Sequence, residues 1–126
     1  MVDFISAAYA HSRKAPHYPD LDLIFQALSD PTRRDLLARL VDGPISVSAL
    51  AKPTGFALPA VMKHLDVLES AALIATIKSG RTRLCHARPD TLAATTDWLK
   101  KQRARWEKRT NRLEDDLTIL HKGPKE

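Results

Sequence analysis

Between Leu58 and Arg88 the chain carries five basic residues, Lys63, Lys78, Arg81, Arg83 and Arg88, against two acidic ones, Asp66 and Glu69. Cations at this density do electrostatic chemistry, neutralising phosphates or carboxylates. Catalysis needs other groupings, and the sequence does not supply them. Glu114, Asp115 and Asp116 are consecutive, so on a helix they splay apart and cannot work as a paired acid and base. Ser46 and Ser48 are accounted for by the start of a helix. Neither G-x-G-x-x-G nor GK[ST] occurs among the four glycines, which excludes the common nucleotide-binding loops. The histidines His11, His17, His64, His86 and His121 are scattered, and Cys85 is the single cysteine. A multi-cysteine zinc site and an intrachain disulfide are therefore excluded. No metal, no cofactor and no enzymatic activity are expected. Cys85 remains a candidate redox group, because alternation along its strand puts Arg83 on the same face. A small half-buried thiol is the plainer reading.

The basic residues need elements to position them. Residues 21–28 form an apolar helical stretch. Asp30-Pro31 then restarts the chain as a helix, with a cap residue followed by proline at the first helical position. Leu36, Leu37, Leu40 and Val41 follow at helical spacing, and Asp42-Gly43-Pro44 ends the run. A short helix spans 46–51 with Ser46 as its cap. Lys52-Pro53-Thr54-Gly55 is a turn. A second helix runs over 58–71, where Leu58, Val61, Leu65, Leu68 and Ala72 step by three and four residues into one buried stripe. Two β-like segments, 74–78 and 82–87, flank the turn Ser79-Gly80-Arg81. From Pro89 a long polar helix runs towards Leu120. Leu92, Leu99, Trp106, Leu113 and Leu120 recur every seven residues along it, and that spacing keeps a seam facing one partner helix.

A short helix, a glycine-containing turn, a second helix and a basic hairpin make a winged helix-turn-helix. The expected fold is mostly α with a small two-stranded β-hairpin. A helix of this kind fits the major groove of double-stranded DNA and presents its first two turns to base edges. Lys63 points almost opposite the buried stripe, with Pro59, Ala60, Met62 and His64 around it, and these five are the candidates for base readout. Ser46, Thr54, Lys78, Arg81 and Arg83 are the candidates for backbone and wing contacts. Arg33 and Arg34 suit either a DNA-backbone or a structural role.

Residues 21–89 resemble the ArsR family of bacterial winged-helix repressors. The resemblance rests on Asp30-Pro31-Thr32-Arg33, Val47 through Ala51, Pro59-Ala60-Val61, Lys63-His64-Leu65 and Gly80-Arg81. The later run WLKKQRARWEKRTNRLEDDL is similar to the last helix of a metal-independent branch. The resemblance implies a cytoplasmic, nucleoid-associated homodimeric repressor on an inverted-repeat operator. It also implies a dimer interface through Leu21, Ile24, Phe25, Leu92, Leu99, Trp106, Leu113 and Leu117. It names no effector. Metal-sensing members carry cysteines near the short helix, where this chain has Ser46-Val47-Ser48-Ala49-Leu50. Asp97 and His121 form no ligand cluster on the last helix. Three positions depart from the family pattern: Ala57 and Met62 stand where serine is common, and Ala72 where glycine is common. The serine-to-alanine change removes a capping oxygen worth about 1 kcal/mol, and Met62 puts an apolar group where a hydroxyl would be. Operator affinity is expected to survive through the cations, with an altered base preference. A winged-helix module with weak DNA binding, docking a protein or RNA, is the alternative reading.

The whole-chain numbers fit this outline. The 126 residues amount to one domain, with 20 Lys and Arg against 15 Asp and Glu, a net charge of +5. A chain this short buries only about two-thirds of its extended surface, so additional burial from a partner chain is expected. No apolar run reaches the roughly 18–20 residues of a membrane helix, and no signal peptide is visible. The expected division is an N-terminal arm over 1–20, the DNA-binding domain over 21–89, the dimerisation helix over 90–121 and a tail over 122–126. Lys100, Lys101, Arg103, Arg105, Lys108, Arg109 and Arg112 crowd the last helix, either as a solvated face beside the seam or as a second anion-binding surface.

Overall fold

A computed structural model describes residues 20–122. The arm over 1–20 and the tail over 122–126 lie outside these bounds, save for Asp20 and Lys122. The elements are α1 (Leu21–Leu28), α2 (Pro31–Arg39), β1 (Ile45–Ser46), α3 (Val47–Ala51), a 3-10 turn (Lys52–Thr54), α4 (Leu58–Ser70), β2 (Ile74–Ser79), β3 (Thr82–Ala87) and α5 (Pro89–Lys122). Two compact units divide between Ala93 and Ala94, inside α5.

The first three helices start in the same way. Asp20, Asp30 and Ser46 each hold an extended backbone and accept a hydrogen bond from the N–H three residues on, at 3.2, 3.0 and 3.2 Å. Each side chain thereby satisfies one of the orphan donors of a helix start. The bond from the Arg33 N–H, with the Arg33 charge behind it, holds the Asp30 carboxyl below the usual carboxylate range. At the start of α4, Ala57 has the same extended backbone but no side-chain cap.

The end of α4 is also unusual. The Leu73 N–H donates to the Leu68 carbonyl at 3.0 Å and the Ala72 N–H to the Glu69 carbonyl at 2.9 Å. This paired closure puts Ala72 in the left-handed region, at φ 60°. A residue with a Cβ is strained there by about 1 kcal/mol.

The sheet has three strands in the order β1-β3-β2, all antiparallel. The two-stranded hairpin expected from sequence gains Ile45–Ser46, which pairs with Cys85 and Leu84. Two residues are too few to show a strand periodicity. Ser79 pairs with Thr82 across a two-residue turn, and Gly80 at φ 61° supplies its left-handed corner.

The core of the first unit joins α1, α2, α3, α4 and the sheet through Ile24, Leu36, Leu50, Val61, Leu65 and Leu73, among others. Two positions of the expected helical patterns stay outside it. Leu58 is 49% exposed at the first turn of α4, so the buried stripe begins at Val61. Val41 lies beyond the end of α2 and is exposed. In the second unit, α5 carries Leu99, Trp106, Leu113, Leu117 and Leu120 at 48% to 76% exposure.

Candidate nucleic-acid interface

The helix-turn-helix is α3, the 3-10 turn and α4. Its turn is locked by Thr54, whose hydroxyl donates to the Ala51 carbonyl at 2.6 Å and accepts from the Phe56 N–H at 3.1 Å. Gly55 follows at φ 71°, a corner that a side chain would strain. Arg39 on α2 secures the other side, donating to the Leu50 and Ala49 carbonyls at 2.8 and 3.1 Å. These are carbonyls that a short helix leaves unsatisfied. The hydroxyls of Ser46 and Thr54, both expected at the DNA backbone, are thus engaged in shaping the motif.

Arg33 links the end of α1 to α4. Its Nε donates to the Ala27 carbonyl at 2.7 Å and Nη2 to the Gln26 carbonyl at 3.0 Å, while Nη1 lies 3.4 Å from His64 Nδ1. His64 Nδ1 is also 3.9 Å from Asp30 Oδ2. Arg34 donates to the Leu28 carbonyl at 2.8 Å. Both arginines therefore cap the end of α1.

Of the five candidates for base readout, three stand free on the outer surface: Pro59, Ala60 and Lys63. His64 is corrected. It turns inward to Asp30 and Arg33, because α4 leaves its side chain at the junction with the start of α2. Met62 is half-buried, with part of its side chain packed against the core.

The wing gathers Lys78, Arg81 and Arg83, all exposed. Lys78 and Arg83 are direct cross-strand partners, with Arg81 in the turn beside them. Like charges directly opposite one another are destabilising, and an anion at the tip relieves that repulsion. Arg88 does not join them. It is half-buried, burial lowers the pKa of its guanidinium, and its N–H donates to the Leu73 carbonyl at 2.9 Å.

Cys85 is corrected as a redox candidate. It is 0% exposed, and burial pushes its thiol up to about 12, with the Glu69 carboxylate adding to the effect and Arg83 opposing it. A protonated, inaccessible thiol is a poor nucleophile. Ile24 is corrected as an interface residue, being 0% exposed within its own chain. Leu21 and Leu92 also lean on this core, and Phe25 keeps 39% of its surface exposed. The basic residues between Lys100 and Arg112 are all exposed, and Arg103 pairs with Glu107 at 2.8 Å.

Two features of the site escaped the sequence reading. Arg39 carries no motif that marks it as a clamp. Phe56 and Leu58 are exposed beside the start of α4, at 50% and 49%. The uninterrupted apolar run Phe56–Ala60, longer than one buried helical face can take up at the start of a helix, is the signal that would have found them.

A short helix, a locked turn, an exposed second helix and a cationic wing define a winged helix-turn-helix DNA-binding domain. A helix-turn-helix domain family matches residues 28–77. An HTH-type transcriptional regulator of Mycobacterium tuberculosis, Rv2034, is 40% identical over 77 residues, 61% of this chain and 72% of that protein. The transcriptional repressor SdpR of Bacillus subtilis is 28% identical over 60% of this chain and 84% of its own. The crystal structure of an ArsR family transcriptional regulator superposes with a TM-score of 0.66 at 49% identity, covering 69% of this chain and 96% of that one. The chain belongs to the ArsR family of winged helix-turn-helix transcriptional regulators.

Proposed function

We propose that this regulator is a homodimeric repressor that binds an inverted-repeat operator, with two copies of α4 in successive major grooves about one helical turn apart. The observation that carries the reading is the wing tip. Three exposed cations crowd one turn, two of them directly opposed, an arrangement that an anionic backbone stabilises. Lys63 with Pro59 and Ala60 supplies the groove-facing surface. The similarity to a transcriptional repressor supports the sense of regulation. The exposed apolar residues of α5 support a second copy as partner, since a lone helix gains little from leaving such residues in water. Among the described residues no helix is long and apolar enough to cross a membrane, and action at the nucleoid follows from the DNA-binding reading.

Selection from randomised duplexes, followed by affinity measurement at two salt concentrations, tests this. Sub-micromolar, salt-sensitive and sequence-selective binding by a dimer is expected. Removing the charge of Arg81 or Arg83 should weaken all duplexes alike and flatten the salt slope by about one. Weak, sequence-blind binding would overturn the repressor reading in favour of a protein- or RNA-docking module.

A further inference from the structure

The leading edge of α4 is chemically one-sided. Phe56, Ala57, Leu58, Pro59 and Ala60 are consecutive and exposed. No side chain among them can donate or accept a hydrogen bond, and Pro59 lacks even a backbone N–H. The neighbouring hydroxyl of Thr54 is engaged within the turn. The first polar side chain on the outer face is Lys63. A hydrophobic residue just before a helix cap can staple onto the fourth helical residue. Here that residue is Val61, which is 0% exposed while Phe56 keeps half its surface in water, so stapling does not account for the ring's exposure.

An edge of this kind cannot read bases through side-chain hydrogen bonds. The major groove offers one apolar feature that distinguishes bases, the C5-methyl group of thymine. We propose that the run Phe56–Ala60 reads thymine methyl groups in each half-site, with Phe56 and Leu58 as the main contacts. This rests on the operator-binding reading above and gives that site its base class. It also accounts for the hydroxyl missing at Ala57, because a hydroxyl facing a methyl would be desolvated without a partner.

Replacing thymine by deoxyuridine removes the methyl group and leaves the pairing edge intact. The full-length chain would be bound to its selected operator, with each thymine replaced singly, and Kd read by fluorescence anisotropy. At least one position per half-site should weaken by about fourfold, the value of one buried methyl. Phe56→Ala or Leu58→Ala should weaken the thymine operator and abolish the difference between thymine and uridine at the matched position. Phe56→Leu, which keeps an apolar contact, should retain it, and thermal unfolding of each variant confirms the fold. Uridine tolerated within twofold at every position overturns the inference and leaves operator binding standing, as does a uridine penalty that survives both alanine variants. Failure to bind any duplex overturns the operator reading itself and this inference with it.

Discussion

Ala57→Ser gives α4 the cap that α1, α2 and α3 already have. Ser46 provides the template. It holds φ −67° and ψ 152° and accepts from the N–H of Ala49, three residues on, at 3.2 Å. Ala57 holds φ −62° and ψ 147°, so a serine there is aimed at the N–H of Ala60 without backbone movement. Pro59 has no N–H to offer, which makes Ala60 the natural donor. The Ala60 N–H already reaches the Ala57 carbonyl at 3.0 Å, so the new bond is shared and its value sits at or below the middle of the usual range. The expected gain is about 1 kcal/mol, or roughly 4 °C in Tm for a domain of this size. Urea and thermal unfolding at one fixed protomer concentration measure it, because stability of a dimer depends on concentration. The urea m-value should not change. Ser46→Ala in the same assay should lose about 1 kcal/mol. An Ala57→Ser midpoint at or below wild type, with Ser46→Ala behaving as expected, would refute the reasoning that links cap geometry to stability here.

Other perturbations have equally definite outcomes. Ala72→Gly relieves about 1 kcal/mol of left-handed strain and forfeits about 0.8 kcal/mol for the buried methyl, so its urea midpoint should lie close to wild type; a loss of about 0.8 kcal/mol or more would show that no strain is stored there. Arg83→Gln removes the cross-strand repulsion with Lys78, so the free protein should be unchanged or more stable by up to about 0.5 kcal/mol while DNA affinity falls. A destabilised Arg83→Gln protein would place Arg83 in the structural framework. The Cys85 thiol should resist a water-soluble thiol reagent in the native state and react freely once unfolded, and rapid native labelling would contradict its burial. Its pKa is raised from 9.0 to about 12, so the unfolded chain loses that proton first as pH rises. Stability from this group should hold level below pH 9 and fall from there towards 12, a decline that Cys85→Ala should lack.

Local chemistry made much of this fold legible. Asp30-Pro31 and Ser46 announce helix starts because the capping side chain and the N–H it accepts from are only three residues apart. Gly80 announces the hairpin, and Val61, Leu65 and Leu68 announce the buried face of α4. What stayed hidden depends on partners distant in sequence. Nothing near His64 says that Arg33 and Asp30 will draw it inward, and Arg39 meets the carbonyls of α3 only in the folded chain. Ile45–Ser46 becomes a strand only because β3 is there to pair with it. Ile24 shares the helical spacing of exposed neighbours, and only the packing of α1 on the core decides that it is covered. The wing cations were legible as a set, but the opposition of Lys78 and Arg83 needed the register.

Arg33 has a consequence for how far apart two half-sites can be. One planar guanidinium holds the last carbonyls of α1 and reaches the side chain of His64 on α4. A rigid fork of donors tolerates little stretch or rotation, so Arg33 couples the recognition helix to α1, on which it also packs through the core. If α1 also meets the second copy, the span between the two recognition helices is set inside each protomer before any DNA arrives. Such a protein measures as well as reads, and an operator with its halves moved apart by a single base pair would present the right letters at the wrong distance.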